Sequence, residues 1–207
     1  LSILRKDRRI KTLTLFFIDS VDKVRDNTAI DGRGEYLRIF DEEYEKAIKT
    51  YGTAIEKYKE YFPDYKNIQA VREGYFAIDA KKNIVEVEDW DSSVDDTNIN
   101  IKAKSQEDVD RGISLILEKK DELISFDEPL AFIFSHSALR EGWDNPNVFT
   151  LCTLKAGSSD IAKKQEIGRG LRLPVDITGN RCLDAGINQL TVIANDYYDH
   201  FAAALQK

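Results

Sequence analysis

Two short stretches of this 207-residue chain concentrate side chains suited to anion chemistry. One is Gln165-Glu166-Ile167-Gly168-Arg169-Gly170-Leu171-Arg172. The other is Arg140-Glu141-Gly142-Trp143-Asp144-Asn145-Pro146, preceded by Ser135-His136-Ser137. An arginine offers a planar fork of donors that matches phosphate oxygens. At 100° per residue, a helix through the first stretch would set Gln165, Gly168, Arg169 and Arg172 within a roughly 100° arc, with Ile167 and Leu171 on the opposite side. The spacing therefore predicts one core face and one guanidinium face that a polyphosphate could approach closely. Each glycine inside a helix costs about 1 kcal/mol relative to alanine, so Gly168 and Gly170 call for a reason.

The elements that must position these residues follow from apolar patterning. Thr12 to Ile18 is a β-branched and aromatic run, read as a buried strand, and Asp19-Ser20 after it as the cap of a short helix. After Gly32-Arg33-Gly34, apolar residues at three- and four-residue spacing predict a helix from Tyr36 to Phe62, stopped by Pro63. Tyr75 to Ile78 and Ile84 to Val87 read as a hairpin, followed by an acidic loop from Glu88 to Asn98. A further helix is predicted from Glu107 to Ile124. Leu130 to Phe134, Val148 to Leu154 and Leu190 to Ala194 are continuous apolar runs, as in strands buried on both faces. Between the last two lies a helix from Ile161 to Leu173, ended by Pro174. Strands interleaved with helices predict an α/β domain with a mainly parallel sheet, in which loops at the carboxyl ends of strands bind ligands. The domain would occupy residues 1–207, with an insertion at about 74–104.

The chain is 42% hydrophobic and carries a formal net charge of −7. By segment the charge is +3 over residues 1–34, −1 over 35–72, −9 over 73–128 and zero over 129–207. The acidity is thus confined to one central stretch, and an acidic total does not exclude a phosphate-binding surface built elsewhere. No apolar run approaches the roughly 20 residues that span a bilayer, and the basic N-terminus is not followed by the apolar stretch of a signal peptide. Two cysteines, Cys152 and Cys182, make no disulfide framework or metal-ligand spacing, which points to a reducing cytoplasm. The absence of any methionine suggests a piece of a longer polypeptide.

The two stretches resemble motifs of superfamily 2 helicases: QEIGRGLR resembles motif VI, QxxGRxxR, and REGWDNP resembles motif V. More narrowly, FSHSALREGWDNPNVF, then QEIGRGLRLP, with TLFFID in the place of motif IV, resemble the Res subunit of type III restriction-modification enzymes. The resemblance covers the second RecA-like motor domain and implies an ATP-dependent DNA translocase that drives an endonuclease. It implies arginine fingers at Arg169 and Arg172, and a role for Gln165 in positioning nucleotide or attacking water. Gly142, Asp144 and Gly168 would face nucleotide. His136 stands where helicases commonly have a threonine that touches the nucleic-acid backbone, flanked by Ser135 and Ser137. ATP and Mg²⁺ would be shared with a first RecA-like domain of the same polypeptide. Double-stranded DNA and a methyltransferase subunit that supplies specificity would be the other partners, with no membrane.

No GxxxxGK followed by Ser or Thr occurs, nor an acidic box for Mg²⁺, so this segment is expected to be inactive toward ATP alone. Glu118-Lys119-Lys120 matches a nuclease Glu-x-Lys literally but falls in a charged helix and is assigned no role. Asp196 with His200 lacks a third ligand, so no metal site is expected. Cys152 reads as a small core hydrophobe, and Trp143 as an aromatic that packs its loop or stacks on a base. Two other readings remain open at this point: a repair-type helicase of the same superfamily, and a non-catalytic RecA-like nucleic-acid-binding module.

Overall fold

The computed structural model describes residues 9–61, 64–76, 116, 119–136, 144–155 and 160–194. Within them, β1 (Leu13–Phe17) is the central strand of a five-stranded sheet. It lies between β3 (Phe132–Ser135) and β4 (Val148–Thr153); β2 (Arg72–Tyr75), which follows the one-turn helix α2 (Ile68–Val71), flanks β3, and β5 (Thr191–Ile193) flanks β4. All four pairings are parallel. This is the α/β architecture expected of a RecA-like domain.

Alternation along β1 divides the core. Leu13, Leu15 and Phe17 point to one face, where they meet Ile133, Val148, Leu151, Leu123 of α3 (Lys120–Leu123) and Ile167 of α4 (Asp160–Gly170). Phe16 points to the other face, toward Leu37 and Phe40 of α1 (Glu35–Glu56). There Phe16 stacks on Phe134 at 4.6 Å between ring centroids, and Phe40 meets Phe132 edge-on at 5.0 Å. Aromatic pairs of this kind add about 0.5–1.5 kcal/mol beyond their buried area.

Gly34 starts α1 because nothing larger fits: a Cβ there would lie 2.1 Å from the Asp22 carbonyl oxygen. Asp19 and Ser20 begin a turn rather than the short helix expected of them. The Asp19 carboxylate instead accepts from Lys23 Nζ at 2.8 Å and from the Tyr36 hydroxyl at 3.1 Å, tying the end of β1 to the start of α1.

Three boundaries differ from those the sequence predicts. α1 stops at Glu56 rather than Phe62, and a 3-10 turn at Lys59–Tyr61 brings Tyr61 edge-on to Phe126. Tyr75, expected to begin a hairpin, closes β2, paired in parallel with Ser135 of β3, so the strand begins at Arg72, before the expected hairpin. The rest of that hairpin and the acidic loop fall outside the described residues. β2 escapes pattern recognition because its first two residues are charged. Arg72 is neutralised by a bidentate pair with Asp41 (2.6 and 2.8 Å) and Glu73 by Arg25 (2.8 Å), which lets a polar strand occupy the sheet. Finally, α4 ends at Gly170, not Leu173.

Candidate functional site

Asp144 and Arg172 do not lie at the carboxyl ends of the strands, where ligand-binding loops are expected. α4 follows the carboxyl end of β4 and runs back toward the amino end of β5, where a Cβ on Gly170 would lie 2.4 Å from Leu190 Cδ1. Asp144 precedes the amino end of β4. The polar residues consequently form two groups, at opposite ends of the sheet.

At the amino end, the Asp144 carboxylate accepts from Lys120 Nζ at Oδ1 and from Arg172 Nη1 at Oδ2, the latter at 3.3 Å. The Lys120 hydrogen bond, with the charges of Lys120 and Arg172, holds the Asp144 carboxyl below the usual carboxylate range. Arg172 and Asp144 are each a little under half exposed (46% and 45%), so their pair is open to water. An exposed pair of this type is worth about 0–1 kcal/mol. A competing anion could therefore take the guanidinium at small cost.

The predicted single guanidinium face does not form. Because α4 ends at Gly170, Arg172 lies beyond the helix, and Leu171, expected in the core, is 67% exposed. Gln165 and Gly168 are on the solvent side, whereas Arg169 is only 7% exposed. Arg169 instead shares the buried side of α4 with Lys163, Glu166 and Ile167. Three charged residues at three-residue spacing line this inner face, a pattern that hydrophobic periodicity cannot find. The two glycines have different reasons. Gly170 makes room for Leu190, whereas nothing within 4 Å would meet a Cβ on Gly168.

At the carboxyl end, Ser135 closes β3 and is 1% exposed. His136 follows, buried, with Nε2 3.0 Å from the Asp19 carbonyl oxygen. A carbonyl only accepts, so Nε2 carries a proton and donates it to Asp19. Lys155, two residues past β4, donates from Nζ to the His136 carbonyl oxygen at 3.0 Å and pairs with Glu166 of α4 at 3.7 Å. Gly142 and Ser137, like Arg140 and Trp143, fall outside the described residues, as do Asp196 and His200. Sequence reading gave no role to Lys120, Lys155 or Glu166: their partners lie 24, 19 and 11 positions away, and no local spacing signals them.

Cys152 is a buried β4 residue whose thiol burial pushes up, in keeping with a core role. Among the described residues no three His, Cys, Asp or Glu side chains are grouped to hold a metal ion. Nor is any described helix long and apolar enough to cross a membrane.

A parallel α/β sheet with a QxxGRxxR segment leaving its helix against an acidic loop residue defines a RecA-like domain. No family model matches the chain. It is 41% identical over 173 residues, 81% of its length, to the Res subunit of the type III restriction-modification enzyme EcoPI of Escherichia phage P1. It is 41% identical over 180 residues to the EcoP15I Res subunit of Escherichia coli, and 34% identical over 187 residues to the StyLTI Res subunit of Salmonella typhimurium LT2, each match covering 84% of the chain. The chain belongs to the family of type III restriction-modification Res subunits. It spans 15 to 17% of the length of these relatives.

Proposed function

We propose that this chain is the second RecA-like motor domain of an ATP-dependent DNA translocase that drives a type III restriction endonuclease. ATP would sit between it and a first RecA-like domain of the same polypeptide, which would supply the phosphate loop that this sequence lacks. Double-stranded DNA and a methyltransferase subunit would be its other partners. Mg²⁺ bound with the nucleotide would neutralise charge on the β- and γ-phosphates.

The observation that carries this reading is the Arg172–Asp144 pair: an accessible guanidinium held in place by a carboxylate that a phosphate can displace. Asp144, kept ionised by Lys120, parks Arg172 between turnovers. Closure of the two domains exchanges the carboxylate for the γ-phosphate, where an arginine finger contributes about 10³–10⁵ in rate. Of the two arginines Arg172 is the better placed; Arg169, on the inner side of α4, reaches nucleotide only if α4 moves. Gln165 and Gly168 form the solvent side of α4, and with no neighbour near Gly168 the backbone leaves room for nucleotide. Gly142 belongs to the same nucleotide-facing set. Ser135 and His136, both buried, anchor the segment that continues through Ser137, to which we assign the grip on the DNA backbone.

In the full-length protein, Arg172→Ala and Arg169→Ala should each lower ATP turnover by at least about 10³ while leaving DNA binding largely intact. Wild-type turnover in both variants would sink the assignment.

A further inference from the structure

Lys155 stands where four elements meet. Its Nζ donates to the His136 carbonyl at the end of β3, pairs with Glu166 in the middle of α4, and lies 5.7 Å from the centre of the Phe17 ring at the end of β1. Its own backbone leaves β4, held through the bond from Leu154 N to the Phe17 carbonyl at 2.8 Å. The Lys155 and Glu166 side chains are only 12% and 10% exposed.

A buried ion pair is a poor source of stability. Its desolvation cost is commonly as large as its attraction, and apolar groups of equal volume serve as well or better. What such a pair does supply is a fixed relation between the parts that carry it. Here those parts are the His136 segment, assigned to DNA, and α4, assigned to nucleotide. An ammonium has three donors on one atom and can hold a carbonyl and a carboxylate together, which an apolar side chain cannot. From Glu166 to Gly170 is four residues, about 6 Å along the helix axis. A shift of the His136 carbonyl that drags Lys155 would therefore displace the end of α4 from which Arg172 emerges.

We infer that Lys155 is a positioning residue that links the His136 segment to α4 through Glu166, and so makes ATP turnover respond to DNA. This rests on the function proposed above. Reciprocity holds for the two affinities: DNA and nucleotide would alter each other's binding by the same factor, which the turnover need not follow. Lys155 itself touches neither ligand.

The test uses the full-length protein with its methyltransferase partner, and measures ATP turnover with and without linear duplex DNA. Removing one member of the pair alone would leave a buried charge, so the main variant is the double substitution Lys155→Met with Glu166→Gln. Its stimulation by DNA should fall about tenfold, within the usual 5–150-fold range of coupling between sites, whereas Lys155→Arg should retain it. A purely structural role would lower both turnovers together and leave their ratio unchanged. A folded double variant whose stimulation stays within about twofold of wild type overturns the inference. If that double variant does not fold, Lys155→Met with Glu166→Met, apolar at both positions, decides by the same criterion. Arg172→Ala is assayed in parallel: loss of turnover there with unchanged stimulation in the pair variant removes only the role of Lys155. Wild-type turnover in both Arg169→Ala and Arg172→Ala removes the function reading itself.

Discussion

The side-chain amide of Asn147 pairs with Val175 as a neighbouring strand would: Nδ2 donates to the Val175 carbonyl at 2.9 Å, and Oδ1 accepts from the Val175 amide at 2.8 Å. Asn147 is fully buried. Its backbone carbonyl accepts from Leu13 N at 2.8 Å, and its amide donates to Asn145 Oδ1 at 2.9 Å. One amide thus fastens the chain that leaves α4, three residues past Arg172, to the segment that carries Asp144. The ion pair at the amino end of the sheet inherits its geometry from this bracket.

Asn147→Ala should release that chain. It loses two hydrogen bonds and strands the Val175 groups, a cost of about 1–3 kcal/mol. Amide hydrogen exchange over residues 171–176 of the full-length protein should accelerate by about 10- to 100-fold, because protection there reports local opening. Asn147→Asp should behave similarly, since an ionised carboxylate cannot donate to the Val175 carbonyl. Unaltered exchange in both variants would contradict the bracket.

Substitutions at the two glycines of α4 should have opposite signs. Gly168→Ala meets no neighbour and should raise helix stability by up to about 1 kcal/mol. If nucleotide approaches over Gly168, the same change should raise the KM for ATP without loss of thermal stability. Gly170→Ala drives a methyl into Leu190, which packs on the core, and should destabilise by about 1–3 kcal/mol through overpacking. Thermal melts of the two variants, compared with wild type, check both signs.

Lys11 predicts a dependence on alkaline pH. Burial lowers its ammonium from 10.5 to about 8, opposed only in part by Glu128. Below pH 8 both folded and unfolded chains hold the proton, and the folded state bears the full cost of a buried charge. Between pH 8 and 10.5 the unfolded chain binds more protons than the folded one, so this contribution to stability rises with pH, by about 3 kcal/mol in all. Cys152, whose thiol burial pushes up, and Tyr44 and Tyr75, pushed by burial to about 12, act in the opposite direction at high pH. The difference between wild type and Lys11→Met isolates the lysine. Met should be the more stable below pH 8, and the gap should close by pH 10.5; a constant gap in thermal midpoint would refute the assignment.

Much of the fold can be read from the sequence where burial is apolar. β1 and β4 announce themselves because Leu13, Leu15 and Leu151 sit in apolar runs interrupted only by β-branched threonines, and their ends fall within a residue of expectation. β2 is invisible because Arg72 and Glu73 enter the sheet with their countercharges, supplied from 31 and 48 positions away. The same holds for the candidate site. Residue types and spacing single out Arg172 and Asp144, but not Lys120 beside Asp144 or Lys155 beneath His136. The 100° helical arc fails for a local reason: Gly170 ends α4 against Leu190, so Arg172 and Leu171 no longer obey helical spacing. Arg169, placed by that arc beside Gln165, lies on the inner side because the buried side of α4 is itself charged.

β5 leaves one side of the sheet unpaired among the described strands, and each of its three residues is exposed, Ile193 to 55%. Leu171 and Leu183 add further uncovered apolar surface. An open, apolar strand edge is a template for pairing with another chain. For protein engineering the consequence is practical: expressed by itself, this segment should become more prone to self-association as concentration rises, and a lysine in place of Ile193 is the first change to make before growing crystals of it.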